Sequence, residues 1–150
     1  MELLKRVAES QKDAMRARDA ARLSTVRMIL AAVKDREIAL RTTGTALSEA
    51  EVLALLGKMV KQRQESAKVY VDGGRQELAD KELAEVGVIE TFLPKALSAA
   101  EVEAAIGAAI AEAGATSLRD MGKVMGVLKA KYTGQMDFGA VGAVLKSRLG

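Results

Sequence analysis

Phe92-Leu93-Pro94-Lys95-Ala96-Leu97-Ser98-Ala99-Ala100-Glu101 decides how this 150-residue chain divides. Pro94 is the only proline. Its ring disfavours helical backbone at Leu93, so a helix arriving from the N-terminal side must end there. Four residues later Ser98 and Glu101 have the spacing of a capping box. The hydroxyl can accept from the N–H three residues on, and the carboxylate can reach back to the cap. One helix stops and another is nucleated within ten residues. The spacing predicts a boundary near residues 94–98, with an N-terminal helical domain over residues 1–94 and a small C-terminal one over residues 95–150.

Upstream of this joint the periodicity is helical throughout. Leu3, Leu4, Val7, Ala8, Ala14 and Met15 recur at helix spacing, and Arg16-Ala17-Arg18-Asp19 reads as a short connection. A second helix is predicted over residues 20–41, with Leu23, Val26, Leu30 and Val33 as its apolar stripe and Ile38 and Leu40 extending it. Thr42-Thr43-Gly44-Thr45 breaks it. Ser48 and Glu51 form another capping-box pattern, opening a helix with Val52, Leu55, Leu56, Met59, Val60, Ala67 and Tyr70. Gly73-Gly74 ends that helix, since glycine adopts the left-handed capping conformation cheaply. A fourth helix runs from about Gln76 to Leu93.

Downstream the texture changes. Val102, Ile106 and Ile110 make a narrow stripe on an alanine-rich helix ending at Gly114. Ser117 and Asp120 cap a helix predicted to run to Lys131, Tyr132-Thr133-Gly134 is a turn, and Asp137 opens a last helix. Eight of the 13 glycines lie in this half. The fold class is therefore all-α: a four-helix domain of long helices followed by a small three-helix domain.

Composition narrows the chemistry. Hydrophobic residues make up 49% and charged residues 29%, ordinary for a globular protein. There is no cysteine and no histidine. Disulfides and thiolate metal sites are excluded, and the commonest general base and metal ligand are missing. No phosphate loop, dinucleotide glycine pattern or metal-ligand spacing is present. We expect no catalytic residue, no cofactor and no metal. Glu82, Glu85 and Glu90 read as a solvated helix face. Lys61 to Glu65, with Arg22 and Arg27, read as pairing between helices or as an anion contact. A charged segment follows Met1 directly, and no apolar run approaches a membrane span, so the expected setting is cytoplasmic.

Charge is placed unevenly. Residues 1–94 carry 16 basic and 15 acidic side chains, whereas residues 115–150 carry six basic and two acidic. The most informative stretch is Ser117-Leu118-Arg119-Asp120-Met121-Gly122-Lys123-Val124-Met125-Gly126-Val127-Leu128-Lys129-Ala130-Lys131. Leu118, Met121, Met125 and Leu128 are expected to face the core. Gly122 and Gly126 lie four apart on a neighbouring face. Each costs a helix interior about 1 kcal/mol relative to alanine, so the pair calls for a benefit. Either another helix crosses there, or a ligand backbone approaches. With Arg119, Lys123, Lys129 and Lys131 beside it, such a strip suits a sugar-phosphate backbone. Aromatic residues are scarce, so base stacking is not the expected mode.

The chain resembles the GatB/YqeY family along its whole length. In the first half the likeness rests on Arg-Leu-Ser-Thr-Val-Arg-Met-Ile (22–29), Lys-Gln-Arg-Gln-Glu-Ser (61–66), Gly-Arg-Gln-Glu-Leu-Ala-Asp-Lys-Glu (74–82) and Phe-Leu-Pro-Lys-Ala-Leu-Ser (92–98). In the second it rests on Gly-Ala-Thr-Ser-Leu-Arg-Asp-Met-Gly-Lys-Val-Met-Gly (114–126). The second half is similar to the tail domain of the B subunit of glutamine-dependent tRNA amidotransferase. The resemblance implies a helical module that engages tRNA through residues 115–150, where charge and spacing single out Arg119, Gly122, Lys123, Gly126, Lys129 and Lys131 as the contacts. It also carries a family label of carbon–nitrogen ligase with glutamine as amide donor. Nothing in the chain resembles the catalytic parts, so the label reads as inherited from the tail. The alternative is a helical protein-interaction adaptor without RNA binding, offering a partner a groove or seam on residues 1–93.

Overall fold

The computed structural model describes residues 1–150 and contains helices and no strand. The elements are α1 (Glu2–Ala17), α2 (Ala20–Arg41), α3 (Glu49–Asp72), α4 (Gln76–Glu90), α5 (Ala99–Ala113), a 3₁₀ turn (Leu118–Asp120), α6 (Met121–Tyr132) and α7 (Phe138–Leu149). The chain forms two compact units, Met1–Leu93 and Pro94–Gly150. No helix is long and apolar enough to cross a membrane.

In the first unit α3 and α4 form a helical hairpin, α1 packs on α2, and α2 packs on α4. Leu3 and Val7 of α1, Val26, Ile29 and Val33 of α2, Val52, Leu56 and Met59 of α3, and Ile89 with Phe92 make one core. Three features depart from the periodicity. Met15 and Ile38 are exposed, because Ala14 and Leu40 take the inward face at those ends of the two helices. α4 stops at Glu90 rather than at Leu93. The next residues form a tight turn, with the N–H of Phe92 bonded to Ile89 O at 3.0 Å and that of Leu93 to Glu90 O at 3.1 Å. Pro94 forces this tightening.

The helix starts show how local patterns compete with tertiary partners. Ser98 and Glu101 form the complete reciprocal box: Ser98 N–H donates to Glu101 Oε1 at 3.0 Å and Glu101 N–H to Ser98 Oγ at 3.2 Å. Ser48 accepts from the Glu51 N–H at 3.2 Å, but Glu51 does not reach back. Its Oε2 accepts instead from Arg36 Nε at 3.2 Å and from a terminal guanidinium nitrogen at 3.0 Å. A charge-assisted pair of bonds outcompetes one backbone N–H, and it ties α3 to α2.

The second unit is thinner. Its core comprises Ala105, Ile106 and Ala109 of α5, Val124 and Leu128 of α6, and Val141 and Leu145 of α7. Two alanines among these contacts let the helices approach closely while burying little area per residue. Leu97 N–H bonds Gln135 O at 2.9 Å, and the Gln135 side chain donates to Lys95 O at 3.1 Å. These contacts seat the entry segment against the α6–α7 turn.

Candidate nucleic-acid interface

The first turn after Gly114 is set by Asp120. Its carboxylate accepts from the Thr116 N–H at 3.0 Å and from the Ser117 N–H at 3.4 Å. The Thr116 bond holds that carboxyl below the usual aspartate range, and the Ser117 bond and the charge of Lys123 add to it, while partial desolvation opposes them. This turn is 3₁₀, and the α-helix proper begins only at Met121. The tighter winding takes Leu118 out of register. It is 43% exposed instead of facing the core. Val124 occupies the core position in its place and is fully buried with Leu128, while Met121 and Met125 pack partly against them. The i, i+4 pair Val124–Leu128 was the available sequence signal.

With Val124 and Leu128 pointing inward, Gly122 and Gly126 point outward. Both are exposed. A Cβ added at either would meet no atom within 4 Å. Of the two explanations for the glycine pair, packing under a neighbouring helix has no helix in the second unit to supply it. Ala130, the next residue along the same row, is exposed too. The three make a smooth strip about 12 Å long at 1.5 Å per residue, with Lys123 one residue to one side and Lys129 one residue to the other.

The predicted cations separate into two groups. Arg119, Lys123 and Lys129 are exposed, and none of them makes an ion pair. Lys131 is committed: its Nζ lies 2.7 Å from Glu112 Oε2 of α5. The Glu112 hydrogen bond, and then its charge, hold the Lys131 ammonium above its ordinary range. Arg148 of α7 is likewise paired with Glu103 of α5. Glu112 and Glu103 of α5 thus withdraw Lys131 and Arg148 from the basic surface. The remaining cations next to the strip are Arg119, Lys123 and Lys129.

Two arginines of the first unit's polar strips make structural contacts. Arg63 Nε donates to Glu85 Oε2 at 3.0 Å, with both side chains largely buried, and other guanidinium nitrogens reach Met59 O at 3.2 Å and Met28 Sδ at 3.6 Å. Glu85 therefore belongs to an inter-helix ion pair, not to the solvated face expected for it. Arg22 donates to Ser10 Oγ at 3.1 Å, and its guanidinium stands 5.9 Å from the Phe92 ring centroid. Arg27 is exposed and needs no buried acid.

A family described as Yqey-like protein matches residues 4–149. The chain belongs to that family. The likeness of residues 95–150 to the amidotransferase tail is in keeping with it. Relatives include the altered inheritance of mitochondria protein 41, mitochondrial, of Meyerozyma guilliermondii, 39% identical over 82 residues that make up 55% of this chain and 41% of the relative. The protein of the same name from Clavispora lusitaniae is 36% identical over 91 residues, 61% of this chain and 51% of that one. In Saccharomyces cerevisiae the figures are 28% over 92 residues, 61% and 49%. The chain spans about half the length of these relatives. Neither the family's description nor these names carries a catalytic activity.

The names correct one expectation. The chain was expected to be cytoplasmic, whereas these relatives are mitochondrial proteins. Lack of cysteine and of a long apolar run describes the helical body, and such a body is equally compatible with other reducing compartments. The body does not specify where it works.

Proposed function

We propose that this protein is a non-catalytic accessory factor that docks structured RNA, tRNA first, on the outward face of α6. One observation carries the reading. Gly122 and Gly126 are open, although each lowers helix stability, and the open strip is flanked by exposed cations that make no salt bridge. Absence of Cβ atoms lets a sugar-phosphate backbone lie against the helix, and Lys123 and Lys129 then meet phosphates on either side. Arg119 extends the set at the N-terminal end. Lys131 contributes least, because it must exchange Glu112 for a phosphate. The carbon–nitrogen ligase label comes with the likeness to the amidotransferase tail and describes chemistry of other parts of that enzyme.

The test is tRNA binding by the full chain across a salt series. Three phosphate contacts give a log–log slope of roughly −2 to −3. Absence of binding at low salt overturns the reading. The alternative, an adaptor without RNA binding, is favoured by a different feature, an open groove between α2 and α3.

A further inference from the structure

Residues 115–150 carry six cations. Arg119, Lys123 and Lys129 border the glycine strip, and Lys146 is exposed on α7. The remaining two are held by α5. Lys131 Nζ stands 2.7 Å from Glu112 Oε2, and Arg148 of α7 is paired with Glu103. The third carboxylate of α5, Glu101, closes the Ser98 cap instead. Glu103 and Glu112 are nine residues apart, about two and a half turns, and so project from opposite sides of the helix. One meets α7 and the other meets α6.

The two cations held in this way are the ones a ligand on the strip does not use. At 3.6 residues per turn, Lys123 and Lys129 lie about 60° to either side of Gly126, three residues before it and three after. Lys131, five residues after Gly126, lies about 140° round the helix. A stiff backbone seated on Gly122 and Gly126 meets Lys123 and Lys129 without turning that far, and Arg148 belongs to another helix. A flexible single strand has no such limit. It can bend round the unit and collect each free cation in turn.

We propose that Glu103 and Glu112 are specificity-determining residues, which make the second unit choose a stiff helical RNA backbone over a flexible single strand. The inference rests on RNA docking at α6. Acids placed opposite off-strip cations act against the wrong ligand and leave the right one untouched. They neutralise Lys131 and Arg148, and they repel phosphates that stray from the strip toward α5. Both pairs are solvent-exposed, with side chains 53% and 53% exposed in one and 37% and 58% in the other. Exposed pairs add little to stability, so their removal leaves the three-helix unit folded and the effect on ligand choice can be read by itself.

The experiment compares the full chain with its Glu103→Gln, Glu112→Gln double variant. The probes are tRNA and a fluorescent oligouridylate of about 12 nucleotides, long enough to cross one small domain. Binding is followed by anisotropy across a salt series. At about 0.15 M salt, where charges beyond about 8 Å are screened, the double variant is expected to bind oligouridylate at least about fivefold more tightly than the original chain. Its tRNA affinity is expected to rise less than about twofold, with helicity by circular dichroism unchanged. The oligouridylate salt slope should steepen by roughly 1.4, two further contacts at about 0.7 each for a single strand. Adding Lys131→Ala and Arg148→Ala to the double variant should return oligouridylate to its original affinity. Equal gains for the two RNAs overturn the inference. So does an unchanged oligouridylate affinity, or a gain that survives the loss of Lys131 and Arg148. In each of these cases tRNA still binds, and docking at α6 stands. Absence of tRNA binding to both proteins at low salt overturns the docking itself, and the inference with it.

Discussion

Gly122 and Gly126 stand one helical turn apart on α6, both exposed, and a methyl group placed on either meets no atom within 4 Å. Alanine therefore fits both positions without a clash. The substitution Gly122→Ala with Gly126→Ala is expected to raise stability by about 1–2 kcal/mol, from helix propensity alone. If the strip receives an RNA backbone, the same double variant loses tRNA affinity. A thermal melt and a binding titration on the same sample check the pair of opposite effects. Destabilisation would mean that the face is packed after all.

Cations in the two groups should behave differently. Lys123→Ala and Lys129→Ala are each expected to weaken tRNA binding and to flatten the salt slope by about 0.7–0.9. Lys131→Ala should leave the slope nearly unchanged, since Lys131 is occupied by Glu112. Binding measured at four or five salt concentrations distinguishes the three variants.

The Arg63–Glu85 pair links the α3–α4 hairpin across side chains that are only 15% and 17% exposed. Removing one partner strands the other charge. Glu85→Ala is expected to cost about 2–3 kcal/mol, read from urea unfolding. Replacing both, as Arg63→Met with Glu85→Leu, should cost less than the single change, because no buried charge is then left alone.

Arg18 ends α1 with φ of 55°, the only non-glycine residue of the chain at positive φ. Its side chain is exposed and makes no hydrogen bond or ion pair, so glycine should fit better there. Arg18→Gly is expected to stabilise by about 0.5–1 kcal/mol, and the β-branched Arg18→Val to destabilise. Tm shifts of opposite sign check this.

Acid should loosen the second unit at its helix starts. The carboxyl of Asp120 is held below its ordinary range by the Thr116 N–H, and that of Glu101 by the Ser98 N–H. A carboxylate with a depressed folded-state pKa contributes stability that is present above its unfolded pKa. That stability is lost as pH falls through the folded value. Stability followed from pH 6 downward should decline below about pH 4, and Asp120→Asn with Glu101→Gln should flatten that decline. Lys131 has the opposite sign. Its contribution is full below the ordinary lysine pKa and disappears as pH rises through the raised one.

Much of the architecture is written locally. The helical periods, the glycines at 73, 74 and 114, the box at Ser98–Glu101 and the stop at Pro94 act within one or two turns of chain, so they read directly from residue order. The basic, glycine-marked character of residues 115–150 is equally a property of the sequence, as is membership of the family through motifs spread over both halves. Other features depend on what approaches from elsewhere. Glu51 leaves its cap because Arg36 comes close. Leu118 is exposed because a 3₁₀ turn, fastened by Asp120, shifts its register. Lys131 is neutralised because α5 brings Glu112 alongside. Whether Gly122 and Gly126 were covered by another helix or left open had two answers consistent with the same residues. Only the tertiary structure decided it, because Val124 and Leu128 sink into the second core and turn the glycines to the outside.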